Sequence, residues 1–169
     1  MHPLIIIIKI RNESMEYMRL KEIREENNLK QFEVANILKV SRSVYGMWEV
    51  EQDIIPLRRL NDFCNEFNVS FDYILELTDI KNYPNSHKDI DINKLKVRLT
   101  SLRKNAKLTQ DKLSQKLEIT RSLISKYEHS TNLILTSYLL EYSKYFNISS
   151  DYLIGKIDYI PKLNKTIKS

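Results

Sequence analysis

Slid along itself by 79 residues, the chain matches without a gap, so that Arg19–Asp79 lies on Arg98–Asp158. Gln31 recurs as Gln110, Arg24 as Arg103, Leu29 as Leu108, Arg42-Ser43 as Arg121-Ser122, Glu49 as Glu128 and Phe67-Asn68 as Phe146-Asn147. Ser70, Asp72 and Tyr73 return as Ser149, Asp151 and Tyr152. One module is therefore written twice, head to tail.

Each module reads as five short helices. In the first copy they run about Glu16 to Asn27, Gln31 to Leu38, Arg42 to Val50, Leu57 to Phe67 and Phe71 to Leu77, and the second copy follows at the same offset. Apolar residues at helical spacing, such as Leu20, Ile23, Val34, Leu38, Leu60, Phe63 and Phe67, supply a core for each module. Only 2 Gly and 4 Pro in 169 residues agree with helices and short loops. Ser70 and Ser149 are N-cap residues for the last helix, with Asp72 and Asp151 near its positive end. Ile80–Ile92 holds Asn82, Pro84, Asn85 and Ser86 without periodicity and reads as a linker. The fold class is all-α, with two tandem five-helix domains and a short apolar, strand-like N-terminal extension. The expected divisions are 1–15 for the extension, 16–80 and 93–159 for the domains, 81–92 for the linker and 160–169 for a basic tail carrying Lys162, Lys165 and Lys168. Leu4–Ile8 is too short to span a bilayer. Three readings of it stand: a strand paired with a second copy of the chain, a segment packed on the body, or an extension upstream of a working start at Met15 or Met18.

A single cysteine, Cys64, excludes an internal disulfide, and no Cys/His spacing suits zinc, so a reducing, cytoplasmic setting without metal or cofactor is expected. His2, His87 and His129 lie apart, no glycine-rich phosphate loop exists and no carboxylate pair stands out, which leaves no catalytic residue and makes an enzyme the poorest class. A net charge of +5 and pI near 9.1 suit a nucleic-acid partner.

The stretch ITRSLISKYE, Ile119 to Glu128, places Ile124 and Tyr127 on one helical face and Arg121, Ser122, Ser125 and Lys126 on the other, with Thr120 as N-cap. Together with LTQDKLSQKLE before it and FNISSDYLIG after it, the stretch resembles the lambda and 434 repressor-like (Xre-type) helix-turn-helix family. LKQFEVANILKVSRSVYGMWE with FNVSFDYILELTD is a second example. The resemblance covers roughly 130 residues and implies binding to double-stranded DNA. It implies that Gln31 and Gln110 touch phosphate and brace the recognition helix, and that Arg42, Ser43 and Met47 in one copy, and Arg121, Ser122 and Lys126 in the other, meet bases. Ser41 and Thr120 open those recognition helices and belong to the same expected DNA-binding set, as does Ser125. It implies structural ion pairs for Arg24 with Glu49 and Arg103 with Glu128, and core positions for Trp48 and Tyr127. Two departures matter. Lys39 and Glu118 stand where the family commonly has a turn glycine at positive φ, which implies local strain. The basic segment that often follows the recognition helix is replaced by VEQDII and HSTNLI.

The copies differ in charge. Glu16–Asp79 has 8 Lys/Arg against 13 Asp/Glu, a balance of −5, whereas Leu95–Asp158 has 11 against 6, a balance of +5. Phosphate neutralisation dominates sequence-independent affinity, so the second domain is the expected main reader. Two arrangements follow: a covalent pseudo-dimer on half-sites about 34 Å apart, its 13-residue linker stretching to roughly 43 to 47 Å, or an acidic first domain that docks on a protein partner or another subunit. The expected function is a transcriptional regulator, a repressor of phage or mobile-element type. The competing class is a protein-binding module, antitoxin-like or a phage-encoded inhibitor, on the same fold. A homodimer through the first domain or the N-terminal extension is a further possibility, and no membrane partner is expected.

Overall fold

The computed structural model describes residues 19–129 and 132–163. Among the described residues all regular structure is helical. The first copy contributes α1 (Leu20–Glu26), α2 (Gln31–Ile37), α3 (Arg42–Glu49), α4 (Leu57–Phe67) and α5 (Phe71–Ile74). The second contributes α6 (Ile92–Asn105), α7 (Gln110–Leu117), α8 (Arg121–His129), α9 (Thr136–Phe146) and α10 (Ser150–Leu153). The strand expected at Leu4–Ile8, the helix start expected at Glu16, and Lys165 and Lys168 lie outside the described residues.

The repeat extends to the backbone. Asn28 and Lys107 both have φ 55°, Lys39 and Glu118 have 54° and 52°, Asn68 and Asn147 have 50° and 48°, and Glu76 and Gly155 have 56° and 79°. Each pair is 79 residues apart, so these four helix ends turn left-handed in both copies, whatever side chain stands there. Caps repeat as well. Ser41 and Thr120 accept from the backbone N–H three residues on, both at 3.2 Å, and Ser70 and Ser149 do so at 3.0 Å. One cap is weaker in the first copy. Thr109 Oγ1 accepts from Lys112 N at 3.1 Å, whereas Lys30, which has no acceptor, leaves only the return bond from its own N–H to Glu33 at 2.7 Å.

The chain forms two compact units, one ending at Ile54 and the other beginning at Ile55. The first unit holds α1 to α3 around Leu20, Ile23, Val34, Leu38, Tyr45 and Trp48, all buried, with the rings of Tyr45 and Trp48 meeting edge to face at 6.4 Å. The second unit holds α4 and α5 together with the whole second copy. This differs from a division into equal repeats, and side-chain chemistry gives the reason. Asp151 accepts from the N–H groups of Phe71 (3.1 Å) and Asp72 (2.8 Å) at the start of α5. Asp72 in return accepts from Ser150 N (2.6 Å) and Ser149 Oγ (2.5 Å) at the start of α10. Each carboxylate satisfies the orphan donors of the other copy's helix. Thr136 Oγ1 adds a bond to Ile55 O at 2.6 Å, and the buried Lys156 ammonium reaches Asn61 and Asn65 Oδ1 at 2.8 and 2.7 Å.

The segment expected to be a stretchable linker is folded onto this unit. Ser70 N donates to Lys81 O at 2.7 Å, His87 N to Lys156 O at 2.7 Å and Asp91 N to Ile154 O at 2.9 Å. Tyr83, buried, donates to Asp72 Oδ2 at 2.9 Å. A span of roughly 43 to 47 Å would require breaking these bonds, so a freely extended tether is not the state of this segment. Its far end caps α6: Asp91 Oδ1 accepts from Asn93 and Lys94 N–H, both at 3.0 Å, and α6 has 14 residues where α1 has 7.

Candidate nucleic-acid interface

In each copy the third helix is fixed by one buried carboxylate. Glu128 is fully enclosed as a side chain and accepts from Arg103 Nε at 2.6 Å, Arg103 Nη2 at 2.8 Å and Gln110 Nε2 at 2.9 Å. Glu49 receives the same three donors from Arg24 Nε (2.5 Å), Arg24 Nη2 (3.2 Å) and Gln31 Nε2 (2.9 Å). The remaining guanidinium nitrogen goes to the carbonyl that ends the preceding turn, Leu29 O at 2.8 Å and Leu108 O at 2.9 Å. Burial alone would raise both carboxyls. The fork–fork hydrogen bonds from arginine, with the glutamine amide, outweigh it and hold them below the usual carboxylate range. Arg24 and Arg103 are raised in turn, chiefly by the hydrogen bonds to their glutamates. Three helices are thereby locked in register, and Gln31 and Gln110 are tied to the third helix of their copy through the acid.

What this lock presents is the outer face of α8. Ile124, Tyr127 and Glu128 turn inward, while Arg121, Ser122, Lys126 and His129 are exposed and Ser125 is half-buried. Gln110, Arg121, Ser122, Ser125, Lys126 and His129 line one open concavity of about 490 Å³. Thr120 stands just outside that lining as the cap of the helix. The donors and cations point outward from a rigid base, which is the arrangement a major-groove reader needs. His129 Nδ1 lies 3.0 Å from Ser125 O, which aims the other ring nitrogen away from the helix.

The corresponding face of α3 is different in content. Ser41, Arg42 and Ser43 are exposed, but Gly46 and Met47 replace Ser125 and Lys126. A Cβ added at Gly46 would stand 3.6 Å from Gln31 Oε1, an ordinary contact, so no packing demand keeps glycine there. Lys39 and Glu118 adopt the left-handed turn conformation between the two helices, as the missing glycine implied.

Two residues on or beside the outer face of α8 escape a reading by family positions. His129 follows the last position of the motif, and only its spacing of three and four from Lys126 and Ser125 marks it. Asp111, one residue after Gln110, lies with its carboxylate 3.6 Å from Arg121 Nε. An acid in the first turn of a helix already has a sufficient local explanation in the macrodipole, so nothing in the sequence points to its second neighbour.

Among the described residues no group of three or more His, Cys, Asp or Glu is placed to hold a metal ion. No helix of the described residues is long and apolar enough to cross a membrane.

A helix-turn-helix domain family matches the chain twice, over residues 17–80 and 97–158. The HTH-type transcriptional regulator ImmR of Bacillus subtilis (strain 168) is 39% identical over 69 residues, which are 41% of this chain and 54% of that protein. The uncharacterized HTH-type transcriptional regulator YobD of the same organism is 36% identical over 61 residues, 36% of this chain and 54% of its own length. The chain thus spans about half the length of these relatives. No solved structure matches it. With both matches lying on the repeated modules, the chain belongs to the helix-turn-helix domain family and contains that domain twice.

Proposed function

We propose that the chain is a sequence-specific, double-stranded-DNA-binding transcriptional regulator that acts as a repressor, with its second domain as the main reader. The observation that carries this reading is the outer face of α8, where Arg121, Ser122, Ser125, Lys126 and His129 stand with Gln110 around one open concavity whose lining holds no acid. The family and the names of the two relatives support regulation of transcription. The charge balance supports the asymmetry, because α3 offers Arg42 without a second cation at Met47, and Glu33 stands where α7 has Lys112. Repression needs no more than occupancy of a promoter, which a bound pair of domains supplies.

Selection of bound duplexes from a random pool, followed by gel-shift titration at moderate salt, tests the proposal. One enriched sequence is expected, with Arg121→Ala or Lys126→Ala losing about tenfold more affinity than Arg42→Ala. An absence of any enriched sequence would sink it.

A second reading rests on the first unit. Phe32 is 48% exposed, Ile37 38% and Val50 61%, exposed apolar side chains in a module with a net acidic charge that suit a protein partner. It predicts a stable complex with a protein that Phe32→Asp abolishes, in a wild-type chain that shows no preference among DNA sequences.

A further inference from the structure

Arg121 carries five N–H donors and many rotamers, and guanine can be met by either of two edges of its guanidinium. Which edge is presented depends on what holds the Nε side. Asp111 Oδ1 lies 3.6 Å from Arg121 Nε, and both side chains are 65% exposed, so the pair is formed at the rim of the concavity. In water such a pair contributes little to stability. Its geometry matters more. An Nε side engaged by Asp111 leaves the two terminal nitrogens, the end-on fork that matches O6 and N7 of guanine, for a base.

The base of Asp111 is fixed. Its carbonyl accepts from Ser114 Oγ at 2.8 Å, and the next N–H, Lys112 N, is capped by Thr109 at 3.1 Å. The first copy lacks each part of this device: Phe32 replaces Asp111, Ala35 replaces Ser114 and Lys30 replaces Thr109, while the arginine itself is retained as Arg42. A cation that served only to neutralise phosphate would gain nothing from a carboxylate beside it, because the acid repels the backbone it approaches.

We propose that Asp111 is a positioning residue that holds Arg121 end-on for one guanine, making it the specificity determinant of the second domain, and that Arg42, with Phe32 at the position corresponding to Asp111, lacks this function. The inference rests on the reading of α8 as a DNA-reading helix. Asp111 touches no base; it acts through Arg121. Replacing it therefore exchanges selectivity for unselective affinity.

The test uses the full chain and the selected duplex, with each guanine in turn replaced by 7-deazaguanine, which removes N7. In the wild type one such replacement is expected to weaken binding by about tenfold. In Asp111→Asn that penalty falls to within about twofold, while affinity for an unselected duplex of the same length rises. In an Arg121→Lys background, which keeps the charge and loses the fork, Asp111→Asn changes the penalty no further, as a double-mutant cycle requires. A penalty that persists in Asp111→Asn, or none at any guanine in a wild type that prefers its selected site, overturns the inference alone. A wild type without sequence preference overturns the DNA-reading proposal beneath it.

Discussion

A carboxylate as enclosed as that of Glu128 is tolerated only while Arg103 and Gln110 face it, because an unpaired buried charge keeps its desolvation cost and loses its compensation. Arg103→Ala should therefore cost roughly 3 to 5 kcal/mol in urea denaturation, with Arg24→Ala close behind. Both glutamates titrate below the usual carboxylate range when folded, so the unfolded chain takes up their protons first. Their contribution is complete above about pH 5 and is lost as pH falls through the folded values. The buried acids of the second unit have the opposite sign. Burial, then the neighbouring Asp72, push Asp151 up to about 8, and burial raises Asp72 as well. The folded chain thus keeps a proton that the unfolded chain releases near pH 4, and its advantage shrinks as pH rises from there to about 8. Thermal melts across this range should show a falling midpoint above pH 5, and Asp151→Asn, which cannot titrate, should flatten the slope. Ser70, Ser149 and the Arg–Glu pairs were legible in the sequence because their partners lie at distances the repeat or the family fixes. The crossing of Asp72 and Asp151 was not: a repeat says which residues correspond, and it is silent on which corresponding residues touch.

Among the helices and turns, the two glycines of the chain carry opposite expectations. Gly46 lies inside α3 with ordinary clearance to Gln31, so Gly46→Ala should stabilise the chain by about 0.5 to 1 kcal/mol, the helix-propensity difference, as read by a denaturant midpoint. Gly155 sits at φ 79°, and a Cβ there would stand 2.7 Å from Asp91 Cβ, with Lys94 Cδ at 3.2 Å. Gly155→Ala should lower the same midpoint sharply, because the start of α6 would have to move. Glu118, held at φ 52° without glycine's freedom, provides a control: Glu118→Gly should stabilise by roughly 1 kcal/mol. Most helix boundaries followed from the periodicity of apolar residues to within a few residues, but the last helix of each copy stops three residues short of the expected Leu77 and Lys156, and α6 begins at Ile92 rather than Leu95. The positive-φ turn at Lys39 and Glu118 followed from the family resemblance. Tyr83 did not. One aromatic in a polar run has no period, so its burial beside Asp72 could not be read before the chain was folded.

At the scale of the whole molecule, charge and compactness divide the chain differently. Charge follows the repeat, −5 in one module and +5 in the other, while the compact units divide after Ile54 and assign α4 and α5 to the second. If the basic module carries the phosphate contacts, Lys112→Ala, outside the base-facing set, should reduce the slope of log affinity against log salt by about 1, and Arg42→Ala should leave it nearly unchanged. Equal slope changes would mean that both modules share the backbone contacts. The exchange of carboxylates between α5 and α10 also sets an order of events during synthesis. Asp151 is made 79 residues after Asp72, a wait of roughly 4 to 16 s at about 5 to 20 residues per second. Until then α5 has Ser70 as its own cap but no acid from its counterpart, so the second unit closes only once Asp151 has emerged from the ribosome.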